Sequence, residues 1–239
     1  MKNLATLLSW CTCFSFLISC TSAEEQEPEQ GFVSIFDGKS LNGWSAMPAK
    51  TAKAWTVKDG MIVGDGDMGR GYLVFENKEL ADFELKLSYR FPGKGNSGIS
   101  VRARKDKTRK RTFQSYHADL GHLGIGKRIL GAWDFHTPGR REHACFRGKR
   151  LVIDKNDKPT VSAIEGALTV KDIRKGEWNT VHLIIKDNNF RFFINGKLAS
   201  EFTEHLPDEK RLHNGAINLQ LHDPRMTVHF RDLRIRLLE

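Results

Sequence analysis

Cysteine is almost missing from the part of this chain that can fold. Of four cysteines in 239 residues, Cys11 and Cys13 sit in an apolar leader and Cys20 at its end, which leaves Cys145 alone. One thiol forms no intrachain disulfide and no cysteine-based zinc site, so Cys145 is expected to act as a small core hydrophobe. No stretch carries the apolar stripe of a three-turn helix, and no internal repeat is present. These absences exclude a disulfide scaffold, a helical bundle and a repeat array. The one long apolar run, MKNLATLLSWCTCFSFLIS (1–19), is too short and too quickly followed by polar residues to span a membrane comfortably.

That run starts with a lysine and reads as an export signal. Its end, Leu17-Ile18-Ser19-Cys20, resembles the bacterial lipoprotein cleavage box, which implies acylation of Cys20. Thr21, rather than aspartate, follows that cysteine, and by the same resemblance implies the outer membrane. The chain is therefore expected to be exported, lipid-anchored to the cell envelope, and in contact with membrane through the lipid alone. TSAEEQEPEQ (21–30) has no apolar periodicity and reads as solvated tether. The expected division is signal 1–19, lipid-anchored tether 20–30, and one domain over 31–239.

Charge of one sign is in excess. The full chain carries +9, and loss of Lys2 with the signal leaves 37 basic against 29 acidic residues, or +8. RARKDKTRKR (102–111) holds seven basic residues and one acid. Such a segment suits an acidic glycan or simply a solvated loop, and nucleic acid is not an expected partner of an exported lipoprotein.

What the sequence does have is strands. DFELKLSYRF (82–91) alternates Phe83, Leu85, Leu87 and Tyr89 against Glu84, Lys86, Ser88 and Arg90, a period of two. GISVRARK (98–105) alternates Ile99, Val101 and Ala103 against Ser100, Arg102 and Arg104. NTVHLIIKD (179–187), NFRFFI (189–194), KLASEF (197–202), AINLQLH (216–222) and MTVHFRDLRIRLL (226–238) follow, with Asn195-Gly196 as a hairpin turn. Short turns are expected near 170–175 and 207–212. Many short strands with Gly-rich turns predict an all-β sandwich of two antiparallel sheets, with Trp44, Trp55 and Trp178 as packing residues.

In TFQSYHADLGH (112–122) the alternation puts Ser115, His117 and Asp119 on one face. In AINLQLH, Asn218, Gln220 and His222 share a face opposite Ile217, Leu219 and Leu221. A strand face of hydroxyl, imidazole, carboxylate and amides suits recognition of sugar hydroxyls, or a solvated outer surface. His117 is a candidate base and Asp119 its orienting partner or a sugar ligand. Arg102 is a candidate anion contact. Asn96 and Ser97, before Gly98, read as turn residues. His117, Asp119, His136 and His222 together admit a divalent metal without requiring one.

Motifs in order along the chain carry a resemblance. FVSIFDGKSLNGW (32–44), W-x-V-x-x-G-x-I-V-G (55–64), DFELKLSYR (82–90), GNSGI (95–99), HADLG (117–121), GEWN (176–179), INGK (194–197), INLQLHD (217–223) and VHFRDLRIRLL (228–238) together resemble the 3-keto-disaccharide hydrolase domain family. The resemblance implies a concanavalin A-like jelly roll and cleavage of glycosidic bonds in 3-keto-glycosides, by elimination or hydrolysis. Strand faces, loop position and this resemblance together give an expected catalytic set of His117, Asp119 and His222, with substrate held by Arg102, Asn218, Gln220, Trp133, His136, Arg140 and Glu142. WDFHTPGRRE (133–142) departs from the acidic run of relatives, with His136 and Thr137 in place of the acids. No E-x-D-x-x-E run of laminarinase-type glycosidases occurs. The alternative is a noncatalytic carbohydrate-binding jelly roll of the envelope, with a preference for acidic glycans; a carbohydrate is the expected partner in both.

Overall fold

The apolar alternation resolves into strands whose inward side chains face a second sheet. The structure, a computed structural model, describes residues 29–77, 79–126 and 128–239. The export signal (1–19), Cys20 and the tether up to residue 28 lie outside the described residues. In chain order the strands are β1 (Val33–Ser34), β2 (Trp44–Met47), β3 (Trp55–Lys58), β4 (Met61–Asp65), β5 (Gly71–Phe75), β6 (Phe83–Arg90), β7 (Asn96–Lys105), β8 (Phe113–Gly121), β9 (Trp133–His136), β10 (Ala144–Cys145), β11 (Lys149–Ile153), β12 (Pro159–Ala163), β13 (Asn179–Lys186), β14 (Asn189–Ile194), β15 (Lys197–Glu204), β16 (Ala216–Leu221) and β17 (Thr227–Leu237). Short 3-10 turns at Val170–Asp172 and Asp208–Lys210 fall where turns are expected, and others form at Ala49–Ala54 and Gly66–Met68.

A ten-stranded sheet runs β12-β11-β15-β14-β13-β6-β17-β4-β3, with β1 added beside β17. A seven-stranded sheet runs β10-β9-β8-β7-β16-β5-β2. Pairing is antiparallel apart from β11 against β15, which run parallel. Asn195 and Gly196 take φ of 51° and 77°, the positive values that a two-residue hairpin turn needs between β14 and β15.

The core between the sheets is aromatic. Trp133 sits with its ring 5.9 Å from Phe190, 5.8 Å from Phe192 and 5.5 Å from Phe202, and Phe190 stacks on Phe202 at 4.3 Å. Tyr116, Phe135, Ile99, Val101, Ile217 and Leu219 complete the inner face of the seven-stranded sheet. Trp44 and Trp55 are buried as expected, whereas Trp178 lies between Arg90 and Arg231, with guanidinium carbons 4.9 and 4.2 Å from its ring. Cys145 is buried and free, its thiol donating to the Glu201 carbonyl at 3.2 Å.

One irregularity positions everything on the outer face of the smaller sheet. Val101 pairs with Tyr116 and Arg104 with Gln114, so β7 carries one residue more than β8 over the same span. The same excess appears against β16, where Ala216 faces Ala103 and Asn218 faces Ser100. Arg102 absorbs this β-bulge at φ 48°. Beyond it the faces exchange: Arg102 turns to the core side and Ala103 to the outer side.

Candidate active site

On the outer face of the seven-stranded sheet, neighbouring strands set polar side chains side by side. His117 on β8 pairs across β7 with Ser100 and across β9 with Asp134. Ser115 and Asp119 flank it on β8, His136 joins from β9, and Asn218 and Gln220 from β16. A cavity of about 650 Å³ opens over part of this face, lined among others by Tyr72, Asn96, His117, Asp119, Asp134, His136, Gln220 and His222. Arg70 and Arg111 also border it.

The imidazole of His117 is buried and stacked on His136, ring centroids 4.9 Å apart at 17°. Its Nδ1 lies 2.9 Å from Ser100 Oγ. Its Nε2 lies 3.7 Å from Asp119 Oδ1 and has no partner at full hydrogen-bond geometry, although the Gln220 side chain comes near enough to favour its protonated form. Gly98 makes this ring position available, because a Cβ there would stand 2.1 Å from His117 Nε2 and 2.8 Å from the Ala118 carbonyl. His136 Nε2 is 3.1 Å from Asp134 Oδ2. Gln220 reaches Tyr72 Oη at 3.4 Å, and His222 Nδ1 meets Asp223 at 2.6 Å.

Burial separates the proton affinities of these groups. It holds the His117 imidazole well below the usual histidine range, with help from His136. Burial, and then the charge of Asp134, push the Asp119 carboxyl up to about 8. Asp134 goes the other way. Burial raises it, but the hydrogen bond from His136 and the charges of both imidazoles outweigh that and leave it lowered. Near neutral pH the cavity therefore holds a protonated carboxyl, an ionised carboxylate and a neutral imidazole. Among the described residues no group of three or more His, Cys, Asp or Glu is arranged to hold a metal ion.

Of the residues expected from sequence, His117, Asp119, His136, Gln220 and His222 meet at the cavity. Asn218 lies on the same face but is fully buried, with neither amide atom partnered by a described residue. Four expectations need correction. Trp133 borders the cavity, but its indole belongs to the aromatic core, because β9 turns Trp133 and Phe135 inward and Asp134 and His136 outward. Arg102 faces the core side through the bulge, donating to the carbonyls of Ala81 and Leu212 and to Asp82 Oδ1 at 3.0, 2.9 and 2.8 Å. Arg140 is tied to Glu204 at 2.7 Å and to the Lys210 carbonyl at 2.6 Å, over the rings of Tyr116 and Phe135. Glu142 lies outside the cavity lining and holds Arg111 at 3.1 Å. Asn96 and Ser97 are also not turn residues. Both lie in β7, with Asn96 facing the cavity and Ser97 Oγ donating to the Gln220 carbonyl at 2.6 Å.

Sequence reasoning missed Asp134, Tyr72, Ser100 and Gly98. Asp134 had a usable signal, since W-D-F-H alternates two aromatics against two polar residues. Gly98 had none, because its role is the space it leaves for a ring on the next strand.

Over residues 31–236 the chain matches the 3-keto-alpha-glucoside-1,2-lyase-like domain family. A 3-keto-disaccharide hydrolase of Bacteroides thetaiotaomicron is 36% identical over 77 residues, covering 29% of this chain. That match spans only 26% of the relative's own length. Among solved structures, a candidate glycosyl hydrolase from Parabacteroides distasonis superposes with a TM-score of 0.57 at 20% identity, over 87% of this chain and 94% of that one. The carbohydrate binding module CBM66 from Bacillus subtilis gives 0.50 at 14% identity, over 81% and 95% of the two chains. The kappa-carrageenase of Pseudoalteromonas carrageenovora, solved with an oligosaccharide of kappa-carrageenan, gives 0.50 at 10% identity, over 91% and 99%. The sandwich is thus the concanavalin A-like jelly roll. The chain belongs to the 3-keto-alpha-glucoside-1,2-lyase-like domain family.

Proposed function

We propose that this protein cleaves glycosides oxidised at C3, by removing the proton on C2 and expelling the C1 substituent. The observation that carries this reading is a pair of carboxylates in one cavity with opposite proton affinities, Asp119 raised and Asp134 lowered. Environments that push two titratable groups apart assign one as acid and the other as base. A ketone at C3 acidifies the C2–H bond. Asp134 takes that proton, and the electron pair is held as an enolate on the C3 oxygen. The pair then returns to form the C1–C2 double bond while the C1–O bond breaks. The departing oxygen takes the proton of Asp119, which leaves an unsaturated 3-keto sugar and a free alcohol. Addition of water across that double bond would complete a hydrolysis.

His117 fits this scheme as a neutral hydrogen-bond donor to the enolate better than as the base expected from sequence, since burial lowers its basicity. With the Ser100 hydroxyl donating to Nδ1, the ring hydrogen sits on Nε2, which faces Gln220 and Asp119 and has no partner at full hydrogen-bond geometry. Gln220, Asn96 and the half-exposed His222 are placed for sugar hydroxyls.

The test is mass spectrometry of products from 3-keto-glycosides, with and without chelator. Wild type should release the alcohol, and Asp119→Asn and Asp134→Asn should each lower turnover by about 10²–10⁴-fold. Saturable glycan binding with no product from wild type would leave a carbohydrate-binding jelly roll instead. Export and acylation at Cys20 belong to the same proposal. Fatty-acid labelling of the protein should disappear in Cys20→Ser.

A further inference from the structure

The outer face of the smaller sheet does not stay polar along its length. On β8 it runs Asp119, His117, Ser115, Phe113; on β16 it runs Gln220, Asn218, Ala216; on β5 it runs Tyr72, Val74. Beyond the bulge, β7 contributes Ala103. Val74, Ala103, Phe113 and Ala216 form a hydrophobic cluster separate from the sandwich core, with Tyr72 against it. A second cavity of about 360 Å³ opens on this cluster, with Met47 at its edge, more than a third exposed.

This recess adjoins the candidate active site. Thr112 lines both cavities. Tyr72 lines the first and meets Phe113 of the second edge-on, centroids 5.3 Å apart. At about 3.3 Å per strand residue, Ala216 lies about 13 Å along β16 from Gln220, the reach of a sugar with one ring-sized substituent. Between them lie Ser115 and Asn218, fully buried and in the lining of neither cavity, so a ligand that reaches both cavities passes over them by way of Tyr72 and Thr112.

We infer that the recess of Met47, Val74, Ala103, Phe113 and Ala216 is an aglycone subsite, and that the preferred substrate carries an apolar, ring-sized leaving group rather than a second sugar. The inference rests on the glycoside-cleaving reading for the identity of its ligand. The floor of the recess is the buried Val74, Ala103, Phe113 and Ala216, while the exposed Ser45, Glu79, Arg104, Lys105 and Thr112 stand at its rim. A sugar seated on that floor would turn hydroxyls to apolar surface and lose their water there. An aromatic aglycone would exchange apolar surface on both sides.

The experiment compares phenyl and methyl 3-keto-glucosides of one anomer, with a 3-keto-disaccharide as third substrate. It also measures calorimetric binding of the unoxidised phenyl and methyl glucosides. Wild type should favour phenyl over methyl by at least about tenfold in kcat/KM and in affinity, and phenyl over the disaccharide. Ala216→Ile fills the recess and Met47→Glu charges its edge; each should bring the phenyl-to-methyl ratio towards one. Met47 is exposed enough for that variant to fold if Ala216→Ile does not. A wild-type ratio near one, faster turnover of the disaccharide, or a ratio unmoved in folded Met47→Glu would overturn the subsite while leaving the cleavage reading intact. If no 3-keto-glucoside is cleaved, the cleavage reading fails and the binding data decide alone. A phenyl preference that Met47→Glu abolishes would support the recess, and equal binding of phenyl and methyl glucosides would refute it.

Discussion

Replacing Asp119 by asparagine should change how stability depends on pH, whatever the substrate. In an unfolded chain this carboxyl titrates near 3.8, and in the fold near 8. Between those values the folded protein keeps a proton that the unfolded chain has released. Folding therefore takes up a proton, and stability falls as pH rises through that window. The penalty is absent below pH 3.8 and stops growing above about 8. One proton corresponds to about 1.4 kcal/mol per pH unit, so wild type should lose about 2–3 kcal/mol between pH 6 and pH 8 that Asp119→Asn keeps. The side chain is 16% exposed, so solvent screening trims this figure without removing it. His117 contributes with the opposite sign, since a lowered imidazole loses stability as pH falls through 6.5, and it largely cancels in the comparison of the two proteins. Urea unfolding of both proteins at half-unit steps from pH 6 to 8 measures the difference. Parallel stability curves, with a gap constant to within about 0.5 kcal/mol, would refute the buried, protonated Asp119 and with it the acid of the proposed mechanism.

Two other substitutions probe the frame around the site. Gly98→Ala drives a methyl into the place of the His117 ring and against the Ala118 carbonyl, and should cut turnover by about 10²-fold through misplacement of the imidazole. It should cost about 1–3 kcal/mol of stability, read together by product assay and urea unfolding. Arg102→Ala strips partners from two carbonyls and from Asp82, and should destabilise by about 3 kcal/mol while glycoside affinity stays within about twofold. A large affinity loss with little change in the urea midpoint would return Arg102 to the binding surface.

Much of this architecture is legible in the residues because a strand writes its burial every second position. The runs at 82–91, 179–194 and 216–222 show their inner faces without help, and Asn195-Gly196 marks its own turn. The same rule gathers Ser115, His117 and Asp119. It does not say whether a polar face meets solvent or is buried, as His117 and Ser115 are. In W-D-F-H the alternation pairs Trp133 with Phe135 on one face, but four residues do not say which face is the core. Trp133 looks like a sugar platform until the facing rings of Phe190, Phe192 and Phe202 on the other sheet are known.

The bulge is where alternation misleads, and the same feature divides the sheet face. Read at a strict period of two, Ala103 belongs to the core with Ile99 and Val101, and Arg102 to the outer surface with Ser100. One inserted residue, held at a positive φ that a non-glycine residue seldom adopts, exchanges them. The cost of that backbone is offset where it arises: the guanidinium of Arg102 finds two carbonyls, a carboxylate and, at 4.9 Å, the face of Phe190. The exchange places an alanine, not a charge, opposite Ala216 on the outer face. With Arg102 outside, a cation would stand between Val74 and Phe113, where the alanine now leaves an apolar floor with Arg104 and Lys105 only at its exposed rim. A single extra residue in β7 thus fixes both the anchoring of the sheet and the chemical character of the surface next to His117.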